Sequence, residues 1–298
     1  MIEPRRVEGA FEKAVFEFLA GHDGLERGVH CDGRGIPTLG IGYAMLANTP
    51  GWPPRESLES DLAAVGIALT AQDRSLLVGV GEALSRQDPA AAKTLMAAPE
   101  CFSFTLSRAQ ARALFELTRP DTEALLQRRL GRELSDRLGG AREMVALFSL
   151  AYSNPALIGP ELVAALHDGS RPRAWYEIRF GSNRSRHAGL QRRRDREAEM
   201  FGLNAAPLDP AAKADMVVWL EDRRPAMKRH FEEVGLDSMA VRSAMTAIYA
   251  GAGLPLPPCL RAPGESIAKT ALPHPSPRPR RHGCEPDSQR EFSAPVDC

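Results

Sequence analysis

Apolar positions recur at intervals of three and four through most of this chain. Phe11, Ala14, Val15, Phe18 and Leu19 form one stripe, which predicts a helix over residues 7–20 that stops at Gly21. Between Asp32 and Tyr43 the period changes. Glycines alternate with Ile36, Leu39 and Ile41, which predicts short hairpin strands joined by glycine turns. After the loop "TPGWPP" the helical period returns in "DLAAVGIALT", "SRAQARALFELT", "DTEALLQRRL" and "AREMVALFSLAY". Ser107 followed by Gln110 reads as a capping box that opens the second of these. A later helix sets Leu190, Ala198 and Phe201 against a basic face, and a further helical piece follows "NAAPLDP" over roughly 209–250. The run "QRRRDREAE" mixes signs, which reads as a helix face laced with ion pairs.

The expected class is therefore α+β and helix-dominated, with one small hairpin region. Three segments are expected: a main domain over 1–205, a helical extension over 206–256 and a disordered tail over 257–298. The tail reading rests on proline, because ten of the 24 prolines fall in the last 44 residues, where apolar anchors are few.

Composition narrows the partners. Net charge is 0, which gives no support to attraction by nucleic acid or anionic membrane; the basic "RPRRHG" is short and sits in the proline-rich tail. No run of about 18 apolar residues is present, so no membrane span is expected. The five cysteines are scattered without metal-ligand spacing, which fits synthesis in a reducing compartment. The opening "MIEPRRVEGAFEKAVFEF" lacks an apolar signal core, so the expectation is synthesis in the cytoplasm without a signal peptide. His22 and His30 flank acids but make a poor metal site, and neither metal nor cofactor is expected.

Candidate chemistry concentrates in "HDGLERGVHCDGRGIPTLGIGY". Asp23 follows the first predicted helix, while Asp32 and Thr38 sit in the glycine-rich hairpin. Two carboxylates on separate elements facing a cleft suit glycoside cleavage: one donates a proton to the leaving oxygen, the other stays ionised. A hydroxyl such as Thr38 can hold the attacking water. Gly40 and Gly42 would let a polymer lie close to the backbone. The structural alternative is that Asp32-Gly33 forms a hairpin turn and Thr38 is merely a good strand former.

The segment "DGLERGVHCDGRGIPTLGIGY" resembles the active-site stretch of phage-type lysozymes of glycoside hydrolase family 24. It is more similar to their bacterial relatives, the pesticin-like toxins and type VI secretion muramidase effectors. That family pattern is Glu-Gly, an Asp nine residues after the Glu, then a Thr six further on in "TIGIG" or "TIGYG". The downstream stretches "LAYSNPALIGPELVAAL", "AWYEIRFGSN" and "GLQRRRDREAEMFG" resemble the end of those effector domains in the same order, so the likeness runs from about residue 10 to 203.

The resemblance implies a lysozyme-like fold, with a small β-hairpin lobe and a larger helical lobe. It implies cleavage of the β-1,4 bond between N-acetylmuramic acid and N-acetylglucosamine in peptidoglycan. The family's acid falls on Asp23, its second carboxylate on Asp32 and its water-orienting hydroxyl on Thr38. Arg193 falls on the arginine that pairs with the acid, and Gly40, Gly42, Tyr43 and Asn154 fall to substrate binding. Arg193 could instead be a solvated member of its basic run, and Asn154 a cap for the turn before Pro155. Without a signal peptide, delivery by a contractile secretion machine into a rival's periplasm fits best, with a secretion-apparatus component and an immunity protein as further partners. A phage endolysin is the second route.

One departure matters. Asp23 stands where the family has Glu, and a carboxyl shorter by one methylene draws back roughly 1.5 Å. Misplacement by about 1 Å costs on the order of 10²-fold in rate. Asp23 could serve after a local shift. Glu26, one helical step further along, could stand in as the acid, though a solvated surface position is its simpler reading. Or the module could bind glycan or a partner protein without cutting.

Overall fold

The structure, a computed structural model, describes residues 2–97, 101–182, 188–204 and 206–261, without the side chains of His22, Asp23 and Ala188. In chain order the first elements are α1 (Phe11–Asp23), β1 (Glu26–Cys31), β2 (Pro37–Gly40), β3 (Tyr43–Ala44), α2 (Leu58–Ala64), α3 (Ala71–Ser85), α4 (Pro89–Met96) and α5 (Arg108–Leu130). There follow α6 (Arg132–Leu138), α7 (Arg142–Ser153), α8 (Pro160–His167), α9 (Arg171–Tyr176), α10 (Ala188–Phe201), α11 (Pro210–Glu233) and α12 (Ser238–Gly251). The three strands form one antiparallel sheet, ordered β1-β2-β3, with His30 opposite Thr38 and Thr38 opposite Ala44. The molecule is α+β and helix-dominated.

Two hydrophobic cores organise these elements. The smaller joins the sheet to α2, α3 and α4 through residues such as Leu39, Met45, Leu62, Leu77 and Phe102. The larger gathers α1 and the helices from α6 onward around Phe16, Phe148, Ile178 and Phe201. Helix α5 belongs to both: Ala111 and Leu114 enter the smaller core, while Phe115, Leu126 and Leu130 enter the larger. Helices α11 and α12 supply Leu220, Phe231, Met245 and Tyr249 to the same larger core, so no packing boundary separates the expected extension from the helices before it.

Several boundaries differ from the pattern. "DLAAVGIALT" is helical only to Ala64. Gly66, at φ 76°, turns the chain there, and the amide of Ile67 closes back on the Leu62 carbonyl. The two segments on either side of Pro120 are one helix. Proline removes the amide that would bond the Glu116 carbonyl. Arg119 spans the weakened turn, pairing with Glu116 at 2.8 Å and with Glu123. Residues 209–250 are two helices, because Gly235, at φ 91°, lies between α11 and α12. The predicted cap at Ser107 is present, and Gln110 also reaches the Val65 carbonyl at 2.9 Å.

The tail expectation is corrected at its start. Residues 258–260 form a 3-10 turn, Leu256 and Leu260 pack against the larger core, and Arg242 donates to the carbonyls of Cys259 and Arg261 at 3.0 and 3.2 Å. Residues 262–298 lie outside the described residues.

Asp73 joins helix capping to tertiary structure. Its carboxylate accepts from the Thr70 amide and hydroxyl, and from the Ser103 amide and hydroxyl, at 2.7–3.1 Å. Burial pushes its pKa up, but these donors outweigh burial and hold it below the usual carboxylate value. The stabilisation is therefore complete above the unfolded pKa of about 4 and disappears as pH falls through the lower folded value. Asp73→Asn should cost about 1.5–3 kcal/mol at neutral pH. In urea titrations the gap between wild type and variant should close below about pH 4; a gap constant to pH 2 would refute the account.

Candidate functional site

Helix α1 ends at Asp23 because Gly24 takes φ 75°, a left-handed conformation that suits glycine. The side chain of Arg196 on α10 donates to the Gly21 carbonyl at 2.9 Å, so the last turn of α1 is tied to α10. The side chain of Asp23 lies outside the described residues, and with it the expected Arg193–Asp23 pairing and the Asp23–Asp32 separation.

Asp32 and Thr38 meet at one residue. Asp32 Oδ1 accepts from the amides of Arg34 and Ile36, both at 2.8 Å. The Ile36 carbonyl accepts from the Asp32 amide at 3.0 Å and from the Thr38 hydroxyl at 3.0 Å. This is an Asx-type turn, so the structural alternative for Asp32 describes one of its oxygens correctly. The other, Oδ2, has the Arg34 guanidinium at 3.8 Å, and the side chain is 32% exposed. The turn is seated on α4: Lys93 donates to the Gly33 carbonyl at 3.1 Å, and a Cβ on Gly35 would lie 3.1 Å from the Pro89 carbonyl oxygen.

The far end of the hairpin meets α7. A Cβ on Gly42 would come within 3.2 Å of the Tyr152 ring, and Ile41 beside it enters the larger core. Tyr152 in turn stacks on Phe148 at 5.9 Å. One turn back along α7, Ser149 receives Arg193, whose guanidinium donates to the Ser149 carbonyl at 3.1 Å and hydroxyl at 3.3 Å. Residues three apart share a helix face. The hairpin tip and Arg193 are thus brought to one side of α7.

Arg193 is largely buried rather than solvated. It pairs with Glu197 Oε1 at 3.1 Å, and Ser149 donates to that same oxygen at 2.6 Å, while Arg194 reaches Oε2 at 2.8 Å. Glu197 and Arg194 are almost fully buried. Burial pushes the Glu197 carboxyl up; Arg194 and Arg193 pull it back without cancelling the shift. The i, i+3 and i, i+4 spacing of these charges is legible in "QRRRDREAE", but their burial is not, since it depends on α10 packing on α7.

Three other expectations change. Tyr43 is buried, donates to Asp61 at 2.7 Å and lies under the Arg55 guanidinium at 4.9 Å, so it braces the sheet against α2 instead of facing a substrate. Gly40 lies against Leu106 and Ala111 at the start of α5, where an added Cβ would make ordinary contacts at 3.5 and 3.8 Å; its φ of 65° is what calls for glycine, so it serves the turn and not a polymer. Glu26 opens strand β1, exposed and opposite Gly40, and is not a helical step beyond Asp23. Asn154 accepts from the Ala156 amide at 2.9 Å and caps the turn Pro155–Leu157. Among the described residues no group of three His, Cys, Asp or Glu side chains could hold a metal ion, and no helix is long and apolar enough to cross a membrane. Comparison with family models, curated proteins and solved structures finds no match to the chain.

The turn role of Asp32 can be measured directly. Asp32→Asn keeps an oxygen for both turn amides and should unfold within about 1 kcal/mol of wild type, while Asp32→Ala should cost about 1–2 kcal/mol; equal losses in chemical denaturation would refute the turn assignment. Glu197→Gln leaves Arg193 and Arg194 buried without their counter-charge and should cost about 3–5 kcal/mol, which the same measurement reads. A loss under 1 kcal/mol would mean that the arginines find other partners.

Proposed function

We propose that this chain is a muramidase with a lysozyme-like fold, hydrolysing the β-1,4 bond between N-acetylmuramic acid and N-acetylglucosamine in peptidoglycan. The observation that carries the reading is the junction at Ile36, where the amide holds Asp32 and the carbonyl holds Thr38. Support also comes from the other end of the hairpin, where α7 and α10 gather the turn at Ile41 and Gly42, Arg193 and the end of α1.

In this mechanism Asp23 is the general acid that protonates the glycosidic oxygen. Asp32 stays ionised, and its Oδ2 takes the proton from the attacking water while Oδ1 keeps the turn in place. Thr38 orients that water through its lone pairs, because its hydroxyl proton is given to Ile36. Arg193 holds the acid in position. An antibacterial effector is the biological setting: made in the cytoplasm, delivered to a rival's periplasm and matched in the producer by an immunity protein. A phage endolysin is the alternative setting.

A second reading is a module that binds peptidoglycan or a partner protein without cutting. Two observations favour it: the short acid at position 23, and the engagement of Asp32 Oδ1 in the turn. Mass analysis of muropeptides after incubation with purified peptidoglycan separates the readings. Asp23→Glu should raise release by about 10²-fold. Asp23→Asn and Asp32→Asn should abolish it, and Glu26→Gln should leave it nearly intact. If no form of the protein cuts, Asp23→Glu included, the binding module is correct. Loss in Glu26→Gln with survival in Asp23→Asn would make Glu26 the acid.

A further inference from the structure

A cavity of about 450 Å³ opens beside the proline-weakened turn of α5. Much of its wall is apolar: Leu126, Met144 and Phe148 are buried, Phe11 is half-buried, and Pro120 and Ala124 lie at the exposed edge. Glu123 and Asp136 mark the mouth, with side chains 38% and 67% exposed. Arg119 and Arg132 pair with these acids and Arg6 reaches the nearby Gly139 carbonyl, but no cationic side chain is part of the lining. Ser135 is part of it, and its hydroxyl is buried without a hydrogen-bond partner. An orphaned buried hydroxyl is costly. The volume lies within the range of small-molecule sites, which combine an apolar body with a few placed polar groups.

We infer that this cavity binds a small neutral or cationic amphiphile: a ring or short branched chain of about 6–10 heavy atoms carrying one hydroxyl or ammonium group. The apolar wall takes the hydrocarbon. Ser135 satisfies its orphaned hydroxyl on the polar group. The carboxylates at the mouth favour a cation and oppose an anion. The site adjoins α5, the helix shared by both cores, so occupancy is felt at the joint between them. The inference does not depend on the muramidase reading.

Benzyl alcohol, benzylamine and benzoate present one ring with three head groups. In NMR titrations of the full chain, benzyl alcohol and benzylamine should bind saturably and compete with each other, and benzoate should bind at least about tenfold more weakly. Ser135→Ala should weaken benzyl alcohol by about five- to tenfold, and Ala124→Leu, which fills the cavity, should weaken both ligands. Amide exchange along α5 should slow on both sides of Pro120 when benzylamine is bound. The inference is overturned if neither probe binds wild type, if benzoate binds as well as benzylamine, or if affinity is unchanged in both variants. Should either variant fail to fold, the three probes on wild type still decide.

Discussion

The candidate site hangs on one buried carboxylate. Glu197 is fully buried, where an isolated charge would be very unfavourable. It is tolerated because Arg193, Arg194 and Ser149 converge on it. Such a cluster is not strong evidence of net stability, since well-packed apolar groups often do as well. What it imposes is geometry: Arg193, Arg194 and Glu197 all lie on α10, so α10 seats on α7 where Ser149 meets both the Glu197 carboxylate and the Arg193 guanidinium. Once α10 is seated, Arg196 ties down the last turn of α1, and Ser149 sets Arg193 one turn from Tyr152, against which the hairpin tip rests. Glu143 does the same for the N-terminal segment, between Arg5 at 2.9 Å and Arg171 at 2.8 Å.

The hairpin shows why structural and chemical roles need not compete. A carboxylate has two oxygens and about four lone-pair directions. Asp32 uses one oxygen to close the turn and keeps the other toward Arg34 and solvent. The turn that explains the aspartate in bland terms also removes its freedom to rotate, as the proposed mechanism would require of it. Thr38 is fixed by the same residue, so its position relative to Asp32 is set through Ile36 alone.

Helix α5 is the element that the two cores share. It enters both cores and carries a proline in its interior, with Arg119 bridging the turn where the backbone bond is missing. The half-buried Arg119 pairs with Glu116 and Glu123 therefore stand where the proline leaves the helix without a backbone bond.

The sequence by itself determined the local chemistry. Helix periods, the Ser107 cap, the glycine-rich hairpin, and the spacing of Asp23, Asp32 and Thr38 are all written in residues close together in the chain, where backbone sterics and short-range hydrogen bonds act. The two helix candidates on either side of Pro120 are one helix for a reason that is not local: packing of α5 into two cores overrides the preference of proline for a break. Side-chain direction was the part decided only by tertiary structure. Tyr43 and Gly40 belong to the expected motif, yet one is turned into the small core and the other onto α5, because strand alternation and the helices laid against the sheet choose the face. Arg193 and Glu197 read as members of a charged helix surface and became a buried cluster, because burial depends on which helix packs against them, and α7 lies some 40 residues away in the chain.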